Sequence, residues 1–419
     1  MPTAEVFSQG DEVVTGQITD TNAAWLAERL TELGFTIVRH VGVGDRLPDL
    51  VHSFREIGER TDLCVCTGGL GPTDDDLTAM AVAEAFERPL GLDAEALDQL
   101  KQRFASFGRP MAAVNERQAW LPEGATRLDN AWGTAPGFSF VGGKARFVCL
   151  PGVPREMRAM FEAKVLPLLH EHFALRPARL VTLRCVGVGE SDLQQALGDW
   201  KAPGVIISFR TKLPENHLKL RFAPEVSSSA VITAVEAVLQ RVGEWVFTVE
   251  GLTGPVPGRD TGGGAHHEVI GRLLAARGET LALAESCTGG RIAAACTSIP
   301  GSSGWFLEGA VTYSNAAKVR VLGVPEALIA EHGAVSEPIA IRMAQGVRER
   351  SGATWGIGVT GIAGPGGGSA EKPVGTVHVA VDGPGGPMHR LLRLPGDRNL
   401  IQQLAVAGAL ELLRRRLVT

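Results

Sequence analysis

Tyrosine is nearly missing from this chain of 419 residues, which has one tyrosine beside fifteen phenylalanines. The hydroxyl of Tyr313 is therefore expected to serve a purpose that a phenylalanine ring cannot. The sequence also has no run of about 18 apolar residues, so no membrane-spanning helix is expected. Residues 1–6 include an acidic side chain and lead into a strand-like run, which is unlike a signal peptide.

A strong charge imbalance is missing as well, because the formal net charge is −5 at pH 7. This value gives no reason to expect a general affinity for nucleic acid or membranes. The six cysteines lie mostly inside apolar runs, which favours reduced, buried thiols in a cytoplasmic protein over disulfides. Cys64 and Cys66 alternate along one strand-like run, and no second pair at zinc-site spacing accompanies them, so a zinc site is rejected.

The length of the chain predicts two or three domains. Residues 1–170 alternate strand-like and helix-like segments, which indicates a three-layer α/β domain with a largely parallel sheet. Residues 176–250 read as half-buried strands with one helix, a small α+β domain. Residues 251–265 are rich in glycine and proline and predict a flexible linker. Residues 266–419 form a second α/β domain that ends in a long helix.

One stretch of the last domain suggests chemistry. The apolar run 281–285 predicts a buried strand, and Thr288, Gly289 and Gly290 predict a tight turn into a helix. We expect the free backbone N–H groups of that helix to point back at Ser286. Such a serine suits a nucleophile or a phosphate ligand. Read alone, Ser286 is equally well explained as a helix cap.

Two later stretches favour a nucleophile. Lys318 follows a pair of alanines, and an apolar setting lowers the pKa of an amine, so that its neutral form could take a proton from Ser286. Residues 355–360 predict a strand that is followed by a glycine-rich loop, which lets a ligand approach backbone N–H groups. With Tyr313, these residues lie at successive strand ends and predict a hydrolytic site.

A second candidate site follows a strand of the first domain. Gly68, Gly69 and Gly71 allow the backbone to approach a phosphate-bearing ligand. The three carboxylates at 74–76 suit a hard divalent cation. They suit equally well the acidic first turn of a helix, where they complement the helix dipole. Earlier in this domain, Asn22 is expected to cap a helix.

The later blocks resemble the C-terminal domain of the CinA family, with matches at AESCTGG (284–290), VTYSN (311–315), GAVS (333–336), GIAGP (361–365) and EKPVGTV (371–377). The resemblance implies hydrolysis of nicotinamide mononucleotide (NMN) to nicotinate mononucleotide and ammonia, without a cofactor. Ser286 would be the nucleophile and Lys318 its base, with Tyr313 assisting. The implied substrate-binding positions are Thr288, Gly289, Gly290, Asn315, Thr360, Gly361, Ile362, Ala363 and Gly364.

The first domain resembles the molybdopterin-binding fold of the MogA and MoaB proteins and, more closely, the N-terminal domain of CinA proteins. The matching blocks are GDE (10–12), GQI (16–18), TN (21–22), TGGLGPTDDDLT (67–78), GTAPG (133–137) and PGVPREM (151–157). Family members commonly have Val-Gly-Thr-Glu where this chain has Ser8-Gln9-Gly10-Asp11-Glu12.

That second resemblance implies an ADP-ribose pyrophosphatase that depends on a divalent metal such as Mg, Mn or Co. The expected metal ligands are Glu12, Asp45, Asp75 and Asp76. The expected nucleotide-binding positions are Gly68, Gly69, Gly71, Thr73, Thr134, Pro136 and Gly137.

Residues 187–191 resemble the opening of the CinA middle domain, which is similar to a KH-type fold. The span 176–250 has balanced charge, no G-x-x-G loop and few aromatics, so a spacer is favoured over direct nucleic-acid binding. The resemblance also points to a homodimer. Three functions compete: a bifunctional nucleotide hydrolase, a pterin- or nucleotide-binding sensor, and an accessory factor of competence or DNA repair.

Overall fold

A computed structural model describes residues 1–252, 254, 256 and 259–418. The chain forms two compact units, Met1–Ala178 and Arg179–Thr419. All six cysteines are free and buried, as the sequence predicts. Within the described part of the chain, none of the helices has the length and apolar character that crossing a membrane requires.

The first unit is built on a six-stranded sheet with the order β2-β1-β3-β8-β7-β6. Its strands, together with a separate ribbon of β4 and β5, are β1 (Thr3–Gln9), β2 (Thr36–Val43), β3 (Leu63–Thr67), β4 (Leu90–Leu92), β5 (Trp120–Pro122), β6 (Thr126–Leu128), β7 (Gly137–Gly142) and β8 (Ala145–Leu150). The first four strands of the sheet are parallel, and β7 and β6 are antiparallel additions.

Helices cover both faces of this sheet. They are α1 (Asp11–Val14), α2 (Thr21–Glu32), α3 (Leu47–Arg60), α4 (Thr78–Ala85), α5 (Ala94–Ser106), a 3-10 helix (Ala113–Ala119), α6 (Pro154–Met160), a π-helical turn (Phe161–Val165) and α7 (Leu166–His172). Successive residues of β3 alternate between two cores, with Cys64 and Cys66 on one face and Leu63 and Val65 on the other. The predicted three-layer, largely parallel domain is confirmed.

The second unit begins with a four-stranded antiparallel sheet of order β10-β11-β9-β12. Its elements are β9 (Arg179–Val186), α8 (Glu190–Leu197), β10 (Val205–Lys212), β11 (Glu215–Phe222), α9 (Ser228–Val242) and β12 (Val246–Glu250). The inward side chains of β9 and β11 share one core with both helices. This is the small α+β fold that the sequence predicts.

The segment predicted as a flexible linker lies partly outside the described residues, at positions 253, 255, 257 and 258. Its described end at 259–265 is held against β12. The hydroxyl of Thr248 donates to the Asp260 carboxylate at 2.6 Å, and the Gly264 N–H donates to Glu250 Oε1 at 2.9 Å. The glycine- and proline-rich composition predicts a flexible segment, but it does not show the hydrogen bonds that Asp260 and Gly264 make with β12.

A five-stranded sheet of order β14-β13-β15-β16-β17 completes the second unit. Its elements are α10 (His266–Arg277), β13 (Leu281–Glu285), α11 (Arg291–Thr297), a 3-10 turn (Ser302–Gly304), β14 (Phe306–Val311), α12 (Asn315–Leu322), α13 (Glu326–His332), α14 (Glu337–Ser351), β15 (Trp355–Gly361), β16 (Thr376–Asp382), β17 (Met388–Arg393) and α15 (Arg398–Val418). Because β13 runs parallel to β14 and β15, the carboxyl ends of all three strands meet at one edge.

The turn between β13 and α11 is fixed by Glu285, which is 1% exposed. Its carboxylate accepts the N–H groups of Gly290, Ile292 and Ala293 at 3.0, 3.1 and 2.8 Å. Gly290 directly precedes α11 and has a φ of +93°, a backbone conformation that glycine adopts readily. The expectation that these N–H groups point at Ser286 is wrong, since the neighbouring carboxylate satisfies them and complements the helix dipole.

We expect Glu285→Gln to lower the free energy of unfolding by about 1–3 kcal/mol, because an amide can turn only one acceptor oxygen toward three donors. Urea unfolding of the full chain measures this change. Glu326→Gln, at the exposed first turn of α13, is the matched control and should leave stability nearly unchanged. Equal stability of both variants would contradict the assigned role of Glu285.

Candidate active sites

Three neighbouring strands of the C-terminal sheet end at a cavity of about 180 Å³. Ser286 follows β13 directly, Tyr313 lies just beyond β14, and Gly361 ends β15. The cavity is lined by Ser286, Cys287, Tyr313, Asn315, Lys318, Ala334, Val335, Thr360, Gly361, Ala363 and Arg398. The structure therefore brings together all three residues expected to be catalytic.

The Lys318 amine lies 3.0 Å from Ser286 Oγ. Lys318 is in the first turns of α12, which starts where the Ser314 hydroxyl accepts the Ala317 N–H. The amine also donates to the carbonyl oxygen of Thr312 at 2.9 Å and reaches that of Tyr313 at 3.5 Å. A serine hydroxyl and an amine are thus held in direct contact by the backbone around them.

Burial governs the charge of this amine. Lys318 is 1% exposed, and loss of hydration lowers the pKa of its amine, since the charged form loses more than the neutral form. The neighbouring Cys287 changes in the opposite sense, because burial raises the pKa of its thiol to about 12. The thiol is therefore protonated at neutral pH. The Ser286 hydroxyl differs from it in being in direct contact with the Lys318 amine.

Several residues expected to bind substrate do not line this cavity. They are Thr288, Gly289, Gly290, Ile362 and Gly364. Thr288 is fully buried, and the Gly290 N–H is taken by Glu285. The Ile362 N–H donates to Thr376 O at 2.9 Å. These residues shape the loops around the cavity. Thr360 does line the cavity, but its hydroxyl donates to Ala334 O at 2.7 Å.

Arg398, at the start of α15, was missed by the sequence reading. Its Nη2 lies 3.2 Å from the Tyr313 hydroxyl, and its Nη1 donates to Gly364 O at 2.7 Å. The Tyr313 side chain is 63% exposed, so this pair forms the rim of the cavity. No local pattern marks Arg398, because its partner Tyr313 is 85 positions away in the sequence.

The first unit contains a larger cavity of about 460 Å³, which we call the N-terminal pocket. It lies beyond the carboxyl ends of β1 and β3. Its lining includes Glu12, Asp45, Gly68, Gly69, Gly71, Asp75, Asp76 and Thr134. Three expected ligand residues, Thr73, Pro136 and Gly137, do not line it.

Two carboxylates of the N-terminal pocket already accept hydrogen bonds from the protein. Asp45 accepts from the Gln9 side-chain amide at 2.8 Å and from the Asp11 N–H at 2.9 Å. Asp76 accepts both the N–H and the hydroxyl of Thr73, at 2.8 and 2.5 Å. Each carboxylate has about four lone-pair sites, so both retain acceptor capacity.

The carboxylates of the N-terminal pocket are the side chains that could bind the expected metal. Among the described residues, no group of three or more His, Cys, Asp or Glu side chains is placed to hold a metal ion by itself. Magnesium is usually bound by one or two carboxylates together with substrate phosphates and water. Asp45 and Asp76 fit that arrangement, because both face one cavity and keep free lone pairs.

The glycines of this pocket also serve internal packing. A side chain at Gly68 would collide with the carbonyl oxygen of Gln9, and one at Gly69 with the side chains of Gln9 and Thr78. Both glycines also have positive φ, of +103° and +65°. Glycine is therefore required here by the protein itself, whether or not a ligand approaches the loop.

Asn22 lines the N-terminal pocket, although the sequence suggested a helix cap. Asp20 caps α2 instead, by accepting the Ala23 N–H at 2.8 Å. The Asn22 amide donates to Gly152 O at 2.7 Å, and its buried Oδ1 has no partner among the described residues. An unsatisfied buried acceptor beside a cavity marks Asn22 as a further candidate for ligand binding.

Comparisons with known proteins find a family match for each end of the chain. Residues 264–417 match the family described as "CinA C-terminal domain", and residues 5–171 match "Probable molybdopterin binding domain". A CinA-like protein of Anaeromyxobacter sp. (strain K) is 44% identical over 413 residues, which cover 98% of each chain. A CinA-like protein of Myxococcus xanthus (strain DK1622) is 42% identical over 425 residues, covering 99% of this chain and 98% of the relative.

Among solved structures, the competence/damage inducible protein CihA from Agrobacterium tumefaciens is 43% identical. The match covers 37% of this chain and 98% of that chain, with a TM-score of 0.35. Because that score is low, the assignment depends on the relatives that match over nearly the full length. The chain belongs to the CinA family.

Proposed function

We propose that the C-terminal cavity hydrolyses the amide of NMN to nicotinate mononucleotide and ammonia. The observation that carries this proposal is the 3.0 Å contact between Ser286 Oγ and Lys318 Nζ in a buried setting. A serine needs an adjacent base to become a nucleophile, and a desolvated lysine is one such base. The resemblance to CinA proteins suggests the substrate.

The geometry around Lys318 suits the neutral amine, which has two N–H bonds and one lone pair. The carbonyl oxygens of Thr312 and Tyr313 can accept the two N–H bonds, at 2.9 and 3.5 Å. The lone pair is then available to the Ser286 hydroxyl. As the serine oxygen bonds to the amide carbon, Lys318 takes the hydroxyl proton.

The same amine completes the reaction. When the C–N bond breaks, Lys318 returns its proton to the leaving nitrogen, so that ammonia departs and an acyl-serine remains. Water then attacks the acyl carbon and gives one proton to Lys318. The Ser286 oxygen leaves, recovers that proton from Lys318, and nicotinate mononucleotide is released.

The rim of the cavity supports a substrate larger than the reacting amide. A volume of about 180 Å³ is below the range of about 300–1,000 Å³ that is usual for whole-ligand pockets, so only the nicotinamide end would be enclosed. Arg398 and Tyr313 would then face the ribose phosphate at the rim. A guanidinium is well suited to phosphate because it offers several donors in one plane.

We expect Ser286→Ala and Lys318→Met to lower ammonia release from NMN at least about 10³-fold, since each removes one member of a unit that acts together. The assay contains EDTA, so that metal-dependent reactions at the N-terminal pocket do not contribute. Circular dichroism and urea unfolding check that the variants are folded. Full activity in either folded variant would refute the pair.

The lowered pKa of Lys318 predicts the pH dependence of this reaction. Only the neutral amine accepts a proton, so kcat/KM should rise about tenfold per pH unit below the pKa of Lys318 and level off above it. The plateau should begin below the ordinary lysine value of about 10.4. Lys318→Arg, which stays charged, should be inactive at every pH tested. A rate that is independent of pH would contradict the role of Lys318.

We propose that the N-terminal pocket binds ADP-ribose and hydrolyses its pyrophosphate with a divalent metal. The observation that favours this second activity is a large cavity whose wall combines the glycine loop with Asp45 and Asp76. A cation held by these carboxylates would offset the charge on the phosphates and activate water. Asn22 and the Gly68–Gly71 backbone would position the ligand.

Asp76→Ala should abolish metal-dependent cleavage of ADP-ribose and leave ammonia release from NMN within about twofold of wild type, because surface carboxylates rarely affect a separate unit. Both products are measured on the same preparations of the full chain. Asp98→Ala, on the exposed side of α5, is the control and should retain both activities. Loss of both activities in Asp76→Ala would argue against independent sites.

The main alternative is a nucleotide- or pterin-binding accessory protein that performs no catalysis. The Agrobacterium relative carries the name competence/damage inducible protein, which is the reason to consider such a role. Ammonia release from NMN in the presence of EDTA separates the two functions. Release favours the enzyme, and its absence together with intact ADP-ribose favours the accessory protein.

A further inference from the structure

A smaller cavity of about 230 Å³ adjoins the N-terminal pocket. We call it the Trp120 pocket and define it by Leu70, Met80, Leu90, Trp120, Leu121 and Pro136. The two cavities share the residues Gly69–Gly71, Asp76 and Gln118. The volume is below that of a usual whole-ligand pocket, so the Trp120 pocket has the size of a subsite that receives one part of a molecule.

The wall of the Trp120 pocket exposes apolar side chains. Met80 and Trp120 are each 39% exposed, although they lie in a unit that buries most of its large apolar residues. Trp120 belongs to the β4–β5 ribbon, which stands apart from the six-stranded sheet. A tryptophan face and a methionine thioether are favourable surfaces for a planar ring.

Gln118 supplies a polar group between the two cavities. It is 6% exposed, and its amide nitrogen lies 3.4 Å from both Leu70 O and Thr134 Oγ1. Its Oε1 accepts from Asn115 at a distance of 3.4 Å. All three contacts are at the long limit for hydrogen bonds, so a ligand with better geometry can replace them. An amide that both donates and accepts suits the edge of a nucleobase.

Charged groups at the mouth favour a ring over a second phosphate. Arg117 is paired with Asp74, so its charge is already balanced by a carboxylate. Asp76, on the shared wall, is proposed above to hold the metal that would offset the charge of phosphates, and its partner in that role, Asp45, lines the N-terminal pocket. The phosphates of a ligand therefore fit the glycine loop of the N-terminal pocket, with the apolar Trp120 pocket left for the base.

We propose that the Trp120 pocket binds the base of a nucleotide whose phosphate lies in the N-terminal pocket, with Trp120 stacking on the ring. This inference rests on the proposed nucleotide binding at the N-terminal pocket. It makes Trp120 and Gln118 determinants of specificity, because they distinguish a nucleotide from a sugar phosphate. The hydrolytic step itself does not depend on Trp120.

AMP and ribose 5-phosphate form a matched pair of probes, since ribose 5-phosphate has a hydroxyl where AMP carries the base, and neither contains a pyrophosphate to be cleaved. Calorimetry with the full chain and Mg²⁺ should show AMP binding about 5- to 150-fold more tightly than ribose 5-phosphate. Trp120→Ala should bring the ratio of the two affinities close to one, because it should weaken the binding of AMP and not that of ribose 5-phosphate. Trp120→Phe should retain part of it.

Trp132→Ala is the matched control, because Trp132 is also exposed, at 37%, and lines neither cavity. It should keep the wild-type ratio. Equal affinity of wild type for the two probes would overturn the inference. An equal loss of affinity for AMP and for ribose 5-phosphate in Trp120→Ala would overturn it as well. If wild type binds none of AMP, ribose 5-phosphate and ADP-ribose, the proposed N-terminal function fails as well. Circular dichroism and urea unfolding of the full chain check that each variant is folded.

Discussion

The carboxylate of Glu285 is the constraint on which the C-terminal site depends. A buried charge is costly unless it is paired, and three backbone N–H groups of α11 pair it here. The same bonds fix the turn that carries Ser286, which stands between the carboxylate and the glycines of the turn. The helix dipole therefore stabilises a structural anion, and the reactivity of Ser286 has to come from another group. In the proposed reaction that group is the amine of Lys318, 3.0 Å from Ser286 Oγ.

The two cavities use charge in opposite ways. In the C-terminal cavity, burial disfavours charge, which lowers the pKa of the Lys318 amine and keeps the Cys287 thiol protonated. In the N-terminal pocket, hydrogen bonds hold the carboxylates in place, with Asp45 accepting from Gln9 and Asp76 from Thr73. Carboxylates that remain ionised suit cations and hydrated ligands. A single chain can hold both environments because they belong to different compact units.

Sequence reasoning located the residues that follow strands, and it failed where partners are distant. Ser286 and Tyr313 were predictable because parallel strands end at one edge of a sheet. Arg398 was not, because its contact with Tyr313 spans most of the C-terminal domain. The role of Glu285 was hidden for a different reason, because it depends on burial and on three N–H donors that the sequence alone does not show.

The departure from the family pattern at 8–12 can be explained by what Gln9 contacts. Its amide nitrogen donates to Asp45 Oδ1 at 2.8 Å and to Asp75 O at 3.0 Å, while its oxygen accepts the Thr78 hydroxyl. One side chain thus connects the loops that follow β2 and β3. A valine at this position could make none of these bonds, so another group would have to satisfy Asp45. The glycine loop resembles the family pattern, and in this chain Gln9 holds the loops around it.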